Sequence, residues 1–379
     1  MANHKIAKVE VFQLKVPFAH VYKMSKKYQV LTDSHVVVLK LTTDKGLIGW
    51  GEANPLPPFT EETVSAVYFN IVEMLSPILL GADPTQIPEL LASVDRLLCH
   101  NNLTKSAVDL ALHDLTGKIY NVPAYMLLGG KLRSEIDLLW PIGAVSIDND
   151  TETIQTKLKE GYKTFGLKLA SLPVEDDIAR VKSIEKKFGD SVKIYLDANQ
   201  GWTVYEALKF VDSLKDSTLK IYGLEQPIDR FNFEGLNRIR NNSRVPINVD
   251  ESLFCESDAV TIFEHKAADG FGIKISKNGG LAQSKRIANL ADAFGMQYLM
   301  NSMADLGLTQ AASLHLGCTL PNLFDCGHCY MSVLRMADDI TNFADQIKDG
   351  VVKITDKPGL GVEVYEEKIN KYTVKKETY

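Results

Sequence analysis

Five charged residues fall at the ends of five consecutive apolar runs: Lys168 in YKTFGLKL, Asp197 in VKIYLDAN, Glu225 in IYGLEQP, Asp250 in VPINVDES and Lys274 in DGFGIKIS. Taken singly, each reads as a solvated charge or a helix cap, Asp250 in VDES above all. As an ordered set, three carboxylates bracketed by two lysines, they form a constellation. Three acids converging on one mouth repel one another and would partly protonate unless a cation joins them. Ligation by oxygen alone points to Mg²⁺, which keeps near-octahedral geometry and leaves positions open for water and substrate. Zinc would call for His or Cys, and neither stands at these run ends. Two lysines on opposite sides of such an ion can take a proton from one face of a carbon and return one to the other, while the ion stabilises the enolate charge.

The elements that must position these groups are legible as a repeat. From about residue 136, eight short apolar runs (LLWPIGAV, YKTFGLKL, VKIYLDAN, IYGLEQP, VPINVDES, DGFGIKIS, MQYLMNS and NLFDC) each lead into an amphipathic stretch. Their spacing of roughly 25–30 residues is that of βα units in a barrel, whose catalytic groups sit at the C-terminal ends of strands. An open doubly wound sheet would show a glycine-rich phosphate turn after its first strand, and Gly279-Gly280 is too little to be one. The first third reads as α+β. Strands HVVVLKLT and Leu47–Trp50 flank the turn Asp44-Lys45-Gly46, Thr60 can cap a helix opening with Glu61 and Glu62, and a second helix spans Thr104 to Lys118.

Composition narrows the function classes. With 45% hydrophobic and 24% charged residues, the chain of 379 has ample material for a core. A net charge of −6 without long basic runs argues against nucleic acid, and no run of apolar residues reaches membrane-spanning length. The N-terminus alternates like a strand and lacks a signal-peptide core, and five scattered cysteines fit a reducing cytoplasm. Cys326-Gly327-His328-Cys329 has the gap of a redox pair, but it follows the eighth strand candidate rather than a thioredoxin-like unit. His315, Cys318, Cys326 and Cys329 have zinc-like gaps, yet His315 lies in the helical pattern LTQAASLHLG and reads as a satisfied core histidine.

Together, AVDLALHDLTGK (107–118) with LLGG, LDANQGW, LEQP, VDES, IKISKNGG and the late PGLGVEV (358–364) resemble the enolase superfamily, specifically its muconate-lactonizing subgroup, over nearly the whole chain. The resemblance implies an α/β fold: a modified (β/α)7β TIM-type barrel at 131–344 under an α+β capping domain at 1–130, to which a tail from about 345 to 379 returns. It implies one Mg²⁺ per active site on Asp197, Glu225 and Asp250, with Lys168 and Lys274 as the opposed acid/base pair and Asn199 and Glu251 supporting them. The subgroup's second strand carries lysine, any residue, lysine; here Gly166-Leu167-Lys168 lacks the first.

Among these relatives the reading nearest the sequence is a dipeptide epimerase. Such enzymes hold the substrate's ammonium on two eighth-strand aspartates one residue apart; this chain keeps the first as Asp325 and has Gly327 in place of the second. The resemblance further places Ser302, Met303, Ala304 and Pro141 against the substrate, with Asp305 where the subgroup usually has Glu. A muconate-type cycloisomerase, an o-succinylbenzoate synthase and a catalytically weak acid-binding barrel remain alternatives, and a homo-oligomer stays open. No arginine precedes Arg96, so the lid offers Phe18, Met24, Tyr28, Leu31, Pro57, Pro58 and Phe59, opposite Trp140, Pro141 and Ile142. That lining predicts a preference for hydrophobic side chains, unless Lys23, Lys26 or Lys27 reaches in to hold an acid.

Overall fold

The structure is a computed structural model and describes residues 4–22, 25–28, 30–143 and 146–379. Ile6–Tyr22, Leu31–Thr43 and Ile48–Ala53 form an antiparallel sheet, and Thr373–Thr378 adds a strand beside the first. The hairpin turns at Asp44-Lys45-Gly46 as its sequence predicts, with Gly46 at φ 81. One face of this sheet packs under the helix Asn102–Tyr120, which is buried over most of its length.

Seven strands, Leu139–Ile142, Thr164–Lys168, Lys193–Asp197, Lys220–Glu225, Ile247–Val249, Gly270–Ile273 and Gln297–Met300, pair in parallel in chain order. The eighth barrel position is held by single bridges. Tyr298 pairs with Leu323 and Leu138 with His328, so residues 323–329 close the gap between the seventh strand and the first. Leu139, Tyr195, Leu299, Phe324 and Cys326 pack inside the barrel. The helices between strands start on conventional caps: Ser146 accepts from Asn149 N, Thr203 forms a capping box with Glu206, and Asn232 accepts from Gly235 N.

Buried carboxylates fasten cap to barrel by capping helices across the seam. Glu52 accepts from Leu306 N (2.7 Å) and Thr309 N (3.1 Å), at the start of Gly307–Gly317. Asp109 accepts from Leu281 N and Ala282 N at the start of Leu281–Ala293. Asp114 joins Trp50 N of the cap sheet to Leu360 N of the late PGLG stretch, which explains two of the sequence motifs. One expected cap is corrected. The helix after residue 60 begins on Thr63, and Glu62 instead caps Asn102–Tyr120 through Leu103 N and Thr104 N. No helix among the described residues is long and apolar enough to cross a membrane.

Candidate active site

Lys168, Asp197 and Glu225 end adjacent strands and lie in register across them. Asp250 and Lys274 each stand directly after the next two strands. All five are carried to one end of the barrel, beneath the cap. Lys168 pairs with Asp197 and donates to Asn199 Oδ1 (3.0 Å). Lys274 pairs with Asp250 Oδ2 at 2.5 Å, from the opposite side of the row. Glu225, between them, accepts from the Asn301 amide at 2.9 and 3.2 Å.

The electrostatics follow from this crowding. Burial and the charges of Asp197 and Asp250 raise the Glu225 carboxyl well above its ordinary range. Burial would also raise Asp250, but Lys274 and Lys277 hold it below the usual carboxylate range. Burial would lower Lys168 and Lys274, yet the facing acids keep both above the ordinary lysine value. Glu251 is pushed up to about 7 by burial and by Asp250 and Asp197. Lys168 and Lys274 therefore stand as counterions of the outer two carboxylates. Lys168 takes Asp197, Lys274 takes Asp250, and the Asn301 amide reaches Glu225 and, at 3.5 Å, Asp250; no three ligand groups among the described residues are drawn onto a single point. The donor set itself suits a hard dication: three buried carboxylates close enough to drive up the middle one, with oxygen ligands only.

Supporting contacts extend outward from the lysines. Asn199 takes its N–H to Asp197 Oδ1 (2.8 Å) and its amide to Glu251 Oε1 (3.2 Å). Tyr28 of the cap also donates to Glu251 Oε1 (3.1 Å) and accepts from Gln200 (2.6 Å). Asp305 is buried and accepts from Met303 N (2.9 Å), fixing the loop Ser302-Met303-Ala304 that lines the cavity beside Pro141. Three groups were missed from sequence. Lys277 is fully buried, ion-paired to Asp250 Oδ1 (2.8 Å) and donating to Leu253 O (2.5 Å). Arg180, also fully buried, ties Asp150 and Asp177 together and donates to the carbonyl of Lys168 (2.8 Å). Asn301 is the third. Arg180 left a trace: Asp177, Arg180, Val181 and Ile184 share one buried helix face.

Asp325 and Gly327 do not reach this end. Asp325 is 92% exposed and pairs with Lys193, the first residue of the third strand, at 3.3 Å. Gly327 N donates to Thr164 Oγ1, at the start of the second strand, and a Cβ there would lie 2.3 Å from Leu138 backbone atoms. The eighth strand position runs on to Cys329, whose N–H reaches Met300 O, and it is Cys329 and Met331 that line the cavity. Asp325 thus cannot hold a substrate ammonium. Burial first, then neighbouring acids, raise the Cys329 thiol to about 12, against a reactive role.

The lid expectations change as well. Phe18, Leu31 and Phe59 line the cavity, joined by Tyr22 and Leu56, whereas Tyr28 turns to Glu251. Trp140 packs edge-on against Tyr162 under Lys157, away from the cavity lining. Lys27 is held by Gln200 and Asp229, both at 3.0 Å, and Lys26 by Glu206 at 3.8 Å. Lys23 and Met24 lie outside the described residues. Gly166 lines the cavity, and Leu139 leans across it: a Cβ would meet Leu139 Cδ2 at 2.6 Å, so an aliphatic chain fills the place beside the missing lysine. An arginine does serve the cavity, Arg335 from beyond the eighth strand position.

Comparison with known proteins agrees with this architecture. Residues 7–129 match the family model described as mandelate racemase / muconate lactonizing enzyme, N-terminal domain, and residues 150–368 match enolase C-terminal domain-like. The chain is 29% identical over 360 residues to an L-Ala-D/L-Glu epimerase of Bacillus subtilis, covering 94% of this chain and 96% of that protein. It is 31% identical over 376 residues to a chloromuconate cycloisomerase of Cupriavidus necator, covering 97% and 99%. A solved N-succinyl Arg/Lys racemase from Bacillus cereus superposes with a TM-score of 0.93 at 26% identity, covering 99% of this chain and all of that one. Relatives of three different reactions thus match at similar identity, and all of them are isomerases. The chain is a member of the enolase superfamily.

Proposed function

We propose that this isomerase moves a proton between the two faces of the α-carbon of an N-acylated amino acid that carries no free ammonium. The observation that supports this most is the pairing at the barrel mouth: Lys168 and Lys274 approach from opposite ends of one row of three carboxylates. Asp197, Glu225 and Asp250 would hold the Mg²⁺ that superfamily members generally use. When bound, that ion supplies positive charge for the developing enolate and compensates the carboxylates that otherwise keep both lysines protonated. One lysine then removes the α-proton and the other delivers a proton to the opposite face. Asn199 and Arg180 hold Lys168 in place, Lys277 holds Asp250, and the apolar cap residues exclude water from the carbanion.

The dipeptide reading needs an anionic partner for an ammonium group. Among the described residues, the carboxylates that line the cavity are Asp197 and Glu225, both in the metal set. An N-acyl amino acid presents the same reacting centre without that charge. Cycloisomerisation of an unsaturated diacid is the second reading, favoured by the same lack of an ammonium partner.

The test is to follow loss of the α-proton by NMR in D₂O with Mg²⁺, for N-acetyl-L-phenylalanine, L-Ala-L-Phe and cis,cis-muconate. Exchange and inversion of the N-acyl compound at ten times the dipeptide rate or more supports the proposal. A faster dipeptide that slows in Asp325→Asn would restore the ammonium reading, and lactone formation without any exchange would favour the cycloisomerase.

A further inference from the structure

Among the described residues, three cations line the cavity, and two of them, Lys168 and Lys274, face carboxylates. The third is Arg335. Its guanidinium carbon lies 3.5 Å from the centroid of the Tyr22 ring and 5.8 Å from that of Phe18. The side chain is half-buried, and among the described residues no carboxylate, carbonyl or hydroxyl accepts from it. No acidic residue stands at the undescribed positions either. Stacking on a ring engages the face of a guanidinium and leaves its N–H edge to make bonds. Among the described residues, Lys277, Lys27 and Lys26, which lie outside the cavity lining, are paired with Asp250, Asp229 and Glu206.

The position is built rather than incidental. Phe18 bridges to Met336, and Ala337 N donates to Pro17 O, so the segment carrying Arg335 is stitched to the end of the first cap strand. Ser332 Oγ donates to Asp305 O at 2.6 Å, linking the same segment to the loop that lines the cavity. Much of the rest of the lining is apolar, with Leu31, Leu56, Phe59, Leu139, Met303 and Met331 among it. A fork with no acceptor among the described residues, sharing a largely apolar cavity with two lysines that already face carboxylates, leaves a place for a second anion.

We propose that Arg335, backed by Tyr22, anchors a second carboxylate of the substrate, distinct from the one at the reacting carbon. The site then takes dicarboxylates, and Arg335 is a specificity residue that touches substrate but not the reacting atoms. This rests on the α-proton transfer proposed above, which supplies the first carboxylate. A planar carboxylate suits the fork, because two parallel N–H bonds can form at once.

The distal acid can come from the acyl group or from the side chain, and two arms separate these. One uses phenylalanine acylated with a chain ending in carboxylate, against the same chain ending in carboxamide. The other uses N-acetyl-2-aminoadipate against its side-chain amide. In each arm kcat/KM is compared for wild type, Arg335→Met and Arg335→Lys, with calorimetric binding of the same four compounds measured alongside. In at least one arm, wild type should prefer acid over amide by about 10- to 100-fold, carried mostly in KM. Arg335→Met should bring that ratio to near one, and Arg335→Lys should retain part of it. Equal use of acid and amide by wild type in both arms, or a preference that survives Arg335→Met, overturns the assignment. If no compound is turned over but binding shows the acid preference and its loss in Arg335→Met, Arg335 stands and the proposed reaction falls.

Discussion

Replacing Arg180 by Met tests whether the buried network beneath Lys168 holds it in place. Methionine keeps much of the apolar stem and removes the fork. The wild-type guanidinium bonds Asp150 at 2.7 and 3.2 Å, Asp177 at 3.2 Å, and the carbonyls of Lys168 at 2.8 Å and Gly143 at 3.4 Å. Both carboxylates are buried, so the substitution leaves two acids without their cation. Removing one partner of a buried ion pair costs about 3–5 kcal/mol, and that is the loss expected at pH 8. The loss must also depend on pH in a definite sense. Asp177 already lies at about 6, raised chiefly by burial, and burial raises Asp150 too; without Arg180 both rise further. An acid whose folded pKa exceeds its unfolded value binds protons that the unfolded chain has released. Stability therefore increases as pH falls below the raised value, by about 1.4 kcal/mol per unit for each carboxylate. Equilibrium urea unfolding at pH 8, 7 and 6 should show the deficit of Arg180→Met shrinking toward acid. The Lys168 carbonyl loses its anchor, so kcat should fall by roughly tenfold or more at every pH. A deficit under about 1 kcal/mol at pH 8, or one independent of pH, would refute this reasoning.

Two further outcomes follow from the same contacts. Glu225→Gln should weaken Mg²⁺ binding by calorimetry at least tenfold while leaving the melting temperature in chelator unchanged or higher, because it relieves repulsion from Asp197 and Asp250; unaltered Mg²⁺ affinity would contradict the ligand assignment. His315 accepts from Tyr125 N at Nδ1 (3.2 Å), bonds Leu360 O through Nε2 (3.1 Å), and is pushed down to about 4 by burial. Between about 6.5 and 4 the unfolded chain binds the extra proton, so stability is lost as pH falls, by up to about 3 kcal/mol. His315→Gln should lack that slope in urea titrations, and equal slopes would show that His315 is not held neutral.

The sequence exposed the row of charges at the barrel mouth because each strand there is a short apolar run that ends in charge. Lys168, Asp197, Glu225, Asp250 and Lys274 could be placed without any tertiary information. The eighth strand position defeated the same method. Among the described residues it pairs through single bridges, and Gly327-His328-Cys329 has the look of a turn, so the apolar run NLFDC ends the strand too early and assigns Asp325 to the wrong mouth. Lys26 and Lys27 could be read only as nearby charges, since their partners Glu206 and Asp229 come from the far side of the chain. Arg335 was invisible for a similar reason: its relevance depends on Phe18 and Tyr22, more than three hundred residues earlier. The cap–barrel seam had a partial signal. Asp109 and Asp114 in AVDLALHDLTGK sit on a helix buried nearly all round, where a carboxylate must find donors, but which donors could not be read in advance.

The division of labour proposed for Lys168 and Lys274 gives them opposite faces of one carbon. It is tested most directly by deuterium exchange at the α-position of both enantiomers of an N-acyl amino acid with Lys168→Ala and Lys274→Ala. Both variants should lose racemisation, and each should exchange a single enantiomer, with the two variants choosing opposite ones. Residual exchange of both enantiomers at equal rates in both variants would contradict the account.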